Sequence, residues 1–322
     1  MLAAAATSIH PEAPLDGLTV GEFPKPEMRD GWVRVKVDAA SLNHHDLWSL
    51  RGVGLPPDRL PMILGCDAAG TLDSGEKVIV HAVIGDPAAG GGDETLDPKR
   101  SLLSEVHPGT LAEYVSVPSR NVVTLPEGFT MEQAACLPTA WLTAYRMLAT
   151  KSGLVAGDTV LIQGAGGGVS TALVMLGKAL GLRVWVTSRD ESKRAAAVEL
   201  GADEAFESGA RLPERVQAVM ESVGEATWAH SLKALVPGGR IVTCGATSGP
   251  NPPADLNRVF FLQLSIVGST MGTREELVEL LGLLGRTGIR PPIALSVPLA
   301  DARQAFEALE TGEFVGKITV SC

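Results

Sequence analysis

Alternating apolar and polar positions characterise the first part of the chain. Residues 31–38 (GWVRVKVD) alternate as expected for a strand with one buried face. Residues 77–81 and 112–117 predict two further strands, and Gly and Pro separate these segments. Residues 85–108 begin with a polar, Gly-rich run, which predicts a mobile loop or flap. Residues 17–125 are therefore predicted to form a β-rich unit.

From about residue 131 the pattern changes to alternating helices and strands. The predicted helices are 131–150 (bent or started by Pro138), 170–180 and 191–200, and the predicted strands are 159–163, 183–187, 240–244 and 264–268. This alternation predicts a doubly wound parallel sheet, so the fold class is α/β. The end of the chain returns to strand, helix and strand at 293–297, 299–309 and 317–320, with Asp301 as the expected helix cap.

Composition narrows the functional class. The 322 residues are 45% hydrophobic and carry a formal net charge of −10, which suits two globular domains and disfavours nucleic-acid or membrane partners. No apolar run is long enough for a spanning helix, and the N-terminus lacks the basic start of a signal peptide. The four cysteines contain no CxxC pair, so a reducing, cytoplasmic compartment is expected.

A glycine turn follows the predicted strand 159–163 and precedes a helix. In such a turn the glycines let the backbone approach a pyrophosphate, and the helix N-terminus supplies free N–H groups. The expected cofactor-binding positions are Gly164, Gly166, Gly167, Gly168 and Val169. The third glycine of the usual GxGxxG pattern is replaced by Val169. The prediction is a Rossmann domain that binds a nicotinamide dinucleotide; the alternative is a tight turn without a ligand.

The end of the second predicted strand selects between the two nicotinamide cofactors. No acidic residue appears there before Asp190, whereas NAD-specific sites use an acid to bind the ribose hydroxyls. Ser188, Arg189 and Lys193 are instead suited to a 2′-phosphate, which predicts NADPH rather than NADH. The alternative is that these basic side chains form a solvated helix start.

Six short motifs resemble one enzyme superfamily. They are 41–46 (SLNHHD), 65–70 (GCDAAG), 109–114 (GTLAEY), 137–145 (LPTAWLTAY), 237–240 (PGGR) and 268–271 (GSTM). Together with the glycine turn they resemble the medium-chain dehydrogenase/reductase superfamily, in its zinc-free quinone-oxidoreductase-like or zinc-type alcohol dehydrogenase-like branch. The resemblance implies a GroES-like catalytic domain from 1–124 and 290–322, a Rossmann domain from 125–289, and an active site in the cleft between them.

Zinc members of this superfamily hold a catalytic metal at positions that resemble Asn43, Cys66 and Thr139 here. An amide, a single thiol and a hydroxyl make a poor tetrahedral zinc site. The family's four-cysteine zinc lobe would fall within 85–108, which contains no cysteine. The resemblance therefore implies an enzyme without zinc, with an improvised site from Cys66, His44, His45 or His81 as the open alternative.

The resemblance also assigns roles to residues of this chain. Asn43 would donate a hydrogen bond to the substrate carbonyl or the nicotinamide, and His45 would relay a proton. Asp46 and Asp67 would orient their neighbours, and Thr139 would contact the nicotinamide side. Further cofactor contacts are assigned to His44, Thr143, Gly245, Ser269 and Thr270. Asn43 and Asp46 could instead satisfy loop backbone, the histidines could be exposed loop residues, and Thr139 and Thr143 could simply pack on one face of a helix.

The leading hypothesis is hydride transfer from NADPH to a quinone, an α,β-unsaturated carbonyl compound or an aldehyde. The second hypothesis within the enzyme class is an enoyl-thioester reductase. A hypothesis from another class is a catalytically silent NADPH-binding protein. A homodimer that pairs the parallel sheets edge to edge near residues 264–268 is also expected from the resemblance.

Overall fold

The computed structural model describes all 322 residues, and they divide into two compact units. Residues 1–142 with 271–322 form the first, which we call the β-rich unit, and residues 143–270 form the second, the parallel-sheet unit. None of the helices has the length and apolar character needed to cross a bilayer.

Eighteen strands and nine α-helices are numbered in chain order. The strands are β1 (Leu2–Ala6), β2 (Leu18–Glu22), β3 (Trp32–Ser41), β4 (Met62–Ile63), β5 (Asp67–Leu72), β6 (Lys77–Val80), β7 (Val83–Ile84), β8 (Ser101–Leu102), β9 (Tyr114–Pro118), β10 (Val122–Thr124), β11 (Thr159–Gln163), β12 (Arg183–Ser188), β13 (Glu204–Glu207), β14 (Val216–Glu221), β15 (Leu235–Thr243), β16 (Ser265–Gly268), β17 (Ile293–Pro298) and β18 (Lys317–Ser321). The helices are α1 (His44–Leu50), α2 (Met131–Ala135), α3 (Leu142–Tyr145), α4 (Gly168–Ala179), α5 (Glu191–Glu199), α6 (Glu225–Ala234), α7 (Leu256–Phe261), α8 (Arg274–Thr287) and α9 (Ala302–Thr311).

The β-rich unit is organised around the long strand β3. This strand pairs with β5, β9 and β18, all antiparallel, within a sheet whose main order is β10-β6-β5-β3-β18-β17. The predicted alternation is confirmed, since Val35 and Val37 are fully buried while Lys36 is exposed. Because β18 comes from the end of the chain, it brings residue 317 beside residues 42 and 43 at the start of α1.

The parallel-sheet unit contains six strands in the order β13-β12-β11-β14-β15-β16, and every pair is parallel. This is the doubly wound sheet that the sequence predicts. Strands β11 and β12 are buried almost throughout, as expected for strands covered on both faces. Their carboxyl ends, Gln163 and Ser188, lead into the glycine turn and into Arg189.

The sequence predicts domain boundaries after residues 124 and 289, and the compact units change after residues 142 and 270. Residues 125–142 belong to the β-rich unit because α2 packs on β3 and β5. Residues 271–289 join the same unit, where His81 Nε2 lies 2.9 Å from the Gly272 carbonyl and the Arg274 amide donates to Glu94 at 2.8 Å. The predicted helix 131–150 is interrupted by π-helical turns at Leu137–Trp141 and Arg146–Lys151, the first of which contains Pro138.

Residues 85–108 carry more regular structure than the predicted loop or flap. They contain a 3-10 turn at Glu94–Leu96 and strand β8, which pairs with β7. Asp97 accepts hydrogen bonds of 2.8 Å from the amides of Asp86 and Lys99. Asp93 caps the 3-10 turn by accepting from Thr95. Carboxylate–amide hydrogen bonds therefore organise this lobe.

Candidate active site

The start of α1 is tied to the loop before Cys66 by a single carboxylate. Asp46 is fully buried; its Oδ2 accepts from the Asn43 amide at 2.8 Å and its Oδ1 accepts from the Gly65 amide at 3.0 Å. Burial is the largest influence on the pKa of Asp46 and raises it above its usual value. Asp46 thus links the two segments that carry Asn43 and Cys66.

The Asp67 carboxylate contacts three polar side chains. Its Oδ2 accepts from Ser41 Oγ at 2.8 Å and from Asn43 Nδ2 at 2.8 Å, and Lys317 Nζ lies 3.4 Å away. Asp67 is fully buried, and its Oδ1 has no hydrogen-bond partner. A buried carboxylate with one unpartnered oxygen retains capacity for a further donor.

Lys317 is a residue of this cluster that sequence reasoning missed. Its side chain is 3% exposed, and Nζ donates at 2.7 Å to both the Leu42 carbonyl and Asn43 Oδ1. The available signal was a lysine at the first position of the apolar strand KITV, where a solvated end was the ordinary interpretation. The ammonium polarises the Asn43 amide, which strengthens the remaining Nδ2 proton as a donor.

The imidazole of His45, on α1, contacts both a thiol and a carboxylate. His45 Nε2 lies 2.9 Å from Glu105 Oε1, and His45 Nδ1 lies 3.5 Å from Cys66 Sγ. Ser104 Oγ lies 3.5 Å from the same nitrogen and 3.7 Å from the sulfur. Interaction with Cys66 is the largest influence on the pKa of His45 and raises it well above the usual range, with a smaller contribution from Glu105.

Two further predicted residues of the β-rich unit have different surroundings. Thr139 lies in the first π-helical turn, and its buried Oγ1 has no hydrogen-bond partner, which leaves it available to a bound molecule. His44 begins α1 beside Asn43, and burial, followed by the charge of Lys317, lowers its pKa. His44 therefore stays neutral at physiological pH.

The positions that resemble a catalytic zinc site do not fit the metal. Asn43 Oδ1 is already 2.7 Å from the Lys317 ammonium, which would repel a second cation, and Asn43 Nδ2 is bonded to Asp67. Cys66 interacts with His45, and Thr139 offers only a hydroxyl. No group of three or more His, Cys, Asp or Glu side chains is arranged to hold a metal ion.

The glycine turn has the geometry that a pyrophosphate requires. Gly164 and Gly166 have φ of 83° and 93°, where a side chain is strained. Gly167 precedes α4 and provides no side-chain cap, so the first-turn amides that include Gly168 and Val169 remain available to an anion. These residues fit a dinucleotide.

The chain leaves β12 through Ser188 and the basic Arg189 before its next acid, Asp190. Ser188 is buried and its Oγ accepts from the Asp190 amide at 3.2 Å, while Arg189 is exposed. Asp190 caps α5 through the Lys193 amide. Arg194, which sequence reasoning missed, donates to the Ser188 carbonyl at 2.7 Å and so adds a third cation near this strand end.

A buried polar network, absent from the sequence-based expectations, links three strand ends. Gln163 Nε2 donates to Ser231 Oγ at 3.0 Å, and Ser231 donates to Glu221 Oε2 at 2.7 Å. Thr187 donates to Gln163 Oε1 at 2.5 Å. Because the carboxylate only accepts, the network fixes the Gln163 amide orientation directly before the glycine turn.

The remaining predicted cofactor residues lie in the same unit. Thr143 is buried, and Gly245 follows β15. The buried Oγ of Ser269 has no hydrogen-bond partner, whereas the Ser269 amide donates to the Thr243 carbonyl at 2.8 Å. Thr270 is exposed. Gly245, Ser269 and Thr270 follow the carboxyl ends of β15 and β16, the edge where ligands bind in such sheets.

Two family models match the chain. Residues 29–127 match the alcohol dehydrogenase GroES-like domain, and residues 168–286 match the zinc-binding dehydrogenase domain. An acryloyl-coenzyme A reductase from Sulfurisphaera tokodaii is 30% identical over 95% of this chain and 97% of its own. A zinc-type alcohol dehydrogenase-like protein from Leptosphaeria maculans is also 30% identical, over 92% of each chain.

Solved structures give the same fold. An NAD-dependent alcohol dehydrogenase superimposes with a TM-score of 0.92 at 32% identity, with all of both chains covered. A 2-octenoyl-CoA carboxylase reductase in complex with NADP and 2-octenoyl-CoA superimposes with a TM-score of 0.91 at 26% identity, with all of this chain and 87% of the other covered.

Proposed function

Because this chain belongs to the medium-chain dehydrogenase/reductase superfamily, in its zinc-type alcohol dehydrogenase-like branch, and is an NAD(P)H-dependent oxidoreductase, we propose that it reduces the carbon–carbon double bond of an enoyl thioester with NADPH. NADPH supplies the hydride when bound. The acryloyl-coenzyme A reductases among its relatives favour this substrate class over the quinones and aldehydes that the sequence suggested first.

The observation that carries the proposal is the Lys317–Asn43–Asp67 cluster. Addition of hydride to the β-carbon of a conjugated thioester places negative charge on the thioester oxygen. Asn43 Nδ2 uses one proton on Asp67 and keeps the other for that oxygen. The Lys317 ammonium at 2.7 Å from Asn43 Oδ1 provides the compensating positive charge.

A conjugate reduction also needs a proton at the α-carbon. His45 carries a raised pKa, so its imidazolium is the proton donor of this site. Glu105 is bonded to its Nε2, and the two side chains are 25% and 24% exposed, so the donor can be reprotonated from solvent. Alcohol oxidation, by contrast, calls for a cation that binds the alkoxide, and the residues at the zinc-matching positions do not fit one.

We test the proposal with purified protein, NADPH and either acryloyl-CoA or crotonyl-CoA, following NADPH absorbance and identifying the saturated thioester by mass spectrometry. Asn43→Ala and His45→Asn should each lower kcat by about 100-fold. His107→Gln is the matched control, because the His107 ring packs against Trp32, and it should keep full activity. NADPH binding without turnover of either thioester would instead favour the silent binding protein, and turnover of quinones alone would favour the first hypothesis.

We further propose a homodimer formed along β16. This strand is the edge of the parallel sheet, and Ile266 on it is 44% exposed. The preceding helix α7 exposes Leu256, Phe260 and Phe261 by 67% or more. An unpaired edge beside an exposed apolar helix is suited to pairing with a second copy.

A further inference from the structure

Four cysteines have very different surroundings in this protein. Burial raises the pKa of Cys136, Cys244 and Cys322 to about 12, so these thiols are protonated at neutral pH. Cys66 alone lies beside an imidazole, with its sulfur 3.5 Å from His45 Nδ1. The difference identifies Cys66 as the thiol with a built-in base.

The hydrogen-bond partners fix the protonation pattern of this group. The Glu105 carboxylate accepts only, so His45 Nε2, 2.9 Å away, carries a proton. When Nδ1 is unprotonated it faces Cys66 Sγ and can take the thiol proton, for which the Leu103 carbonyl, 3.4 Å from the sulfur, is the other acceptor. The imidazolium that results is the form favoured by the raised pKa of His45, and it donates to Glu105 on one side and to the thiolate on the other.

The backbone holds Ser104 against this pair at a conformational cost. Ser104 has φ of 63°, one of three non-glycine residues with positive φ, and its hydroxyl lies 3.7 Å from Cys66 Sγ. A thiol is activated by a base in contact with it and by a third group that orients the base. Here Cys66 is the thiol, His45 the base and Glu105 the orienting group.

We propose that Cys66 is a nucleophilic site that adds covalently to small conjugated alkenes of the α,β-unsaturated carbonyl class, with His45 as base and acid and Glu105 as the group that orients it. The Cys66 proton passes to His45 Nδ1, and a sulfur lone pair forms a bond to the β-carbon. The π electrons move to the α-carbon, which takes the proton back from His45. The net result is addition of S–H across C=C, with no oxidant or reductant.

Access restricts the site to small electrophiles. Cys66 is 2% exposed, but His45 and Glu105 beside it are about a quarter exposed, so the approach is along the imidazole. The reaction uses no nicotinamide, so its occurrence and that of the proposed reductase activity are measured separately.

The experiment treats chelator-washed, NADPH-free protein with acrylamide and quantifies adducts at each cysteine by peptide mass spectrometry. Cys66 should be modified at least 100-fold faster than Cys136, Cys244 or Cys322. His45→Asn should lower the Cys66 rate by about 100-fold and Glu105→Gln by roughly tenfold. His107→Gln should leave the rate unchanged.

Cys136 serves as an internal reporter of folding, because it is fully buried in the same unit and reacts only if that unit opens. The proposal is overturned if Cys66 reacts no faster than the other three cysteines in the folded protein. It is equally overturned if His45→Asn leaves the Cys66 rate intact while Cys136 stays protected.

Discussion

Lys317 Nζ lies 2.7 Å from Asn43 Oδ1 although the two residues are 274 positions apart in the chain. The final strand thus delivers a positive charge to the Asn43–Asp67 cluster, whose other members lie between residues 41 and 67. The same ammonium lies 3.4 Å from Asp67, which forms a buried ion pair in the core of the β-rich unit.

Breaking this ion pair should be costly. Lys317→Met leaves the Asp67 carboxylate buried without its cation, and we expect a loss of about 3–5 kcal/mol in the free energy of unfolding. Asp67→Asn should also destabilise, and the double variant should lose less than the sum of the two. Urea unfolding measures all three.

Lys178→Met is the matched control, because the Lys178–Asp203 pair is 2.7 Å long but more than a third exposed. It should cost no more than about 1 kcal/mol. Equal losses at Lys317 and Lys178 would contradict the view that the buried charge is decisive.

The cofactor preference should depend on Arg189. We expect tighter binding of NADPH than of NADH, and Arg189→Ala should weaken NADPH binding by roughly 10- to 100-fold while leaving NADH binding unchanged. Calorimetric titration with both cofactors measures this. Lys233→Ala, an exposed cation in the last turn of α6, should leave both affinities as they are; an equal preference in the unaltered protein would remove Arg189 from the binding site.

The pH dependence of turnover should show the His45–Cys66 interaction. Since the pKa of His45 is raised, its acid form persists at neutral pH, and kcat should fall as pH rises through that value. Cys66→Ala removes the largest raising influence and should move this alkaline limb to lower pH. Cys322→Ala should not move it.

The same shift has a consequence for stability. A group whose pKa is raised on folding stabilises the protein fully below its unfolded pKa, about 6.5 for histidine, and this contribution disappears as pH rises through the folded value.

For the turnover experiment, a pH profile of kcat that Cys66→Ala leaves unchanged would show that the Cys66 sulfur does not control the pKa of His45.

The glycine turn should tolerate no side chain at Gly166. Its φ of 93° implies a cost of about 1–2 kcal/mol for Gly166→Ala, together with weaker NADPH binding. Gly285→Ala makes the same chemical change in α8, where a Cβ meets nothing within 4 Å, and it should stabilise by about 0.5–1 kcal/mol. Thermal unfolding with and without NADPH compares them; equal effects would argue against a conformational requirement at the turn.

Association along β16 should respond to charge. Ile266→Asp should yield a monomer in sedimentation velocity, because it places a carboxylate on the proposed pairing edge. Val198→Asp, at a position 48% exposed on α5, should leave the sedimentation coefficient unchanged. A monomer in the unaltered protein would refute the proposed dimer.

The elements that sequence patterns predicted best are those whose burial is uniform. Strand β11 was predicted with its observed bounds, and β12 was one residue short, because strands buried on both faces are continuous apolar runs. Strand β1 gave no such signal: its LAAAA sequence favours a helix, and pairing with β2 and β4 overrides that preference.

The residues of the candidate site also fall into those that could be predicted from the sequence and those that could not. Asn43, His45, Asp46 and Asp67 lie in two short motifs, so the family resemblance was enough to single them out. Glu105 contacts His45, 60 positions earlier in the chain, and Lys317 contacts Asn43, 274 positions earlier. No local pattern marks either residue. The Gln163–Ser231–Glu221 network was missed for the same reason, since each member alone resembles an ordinary polar residue.

The lobe at residues 85–108 is sensitive to different conditions from a lobe that is held by a metal. A lobe held by four thiolates and a metal comes apart when the metal is chelated or the sulfurs are oxidised. In this lobe Asp97 instead accepts two backbone hydrogen bonds, and these lower the pKa of its carboxyl group. Its contribution persists above the usual aspartate range and is lost only as pH falls through the lowered value. Because the lobe contains no cysteine, its hydrogen bonds at Asp97 should survive both chelators and thiol oxidants and should weaken only when acid protonates the carboxylate.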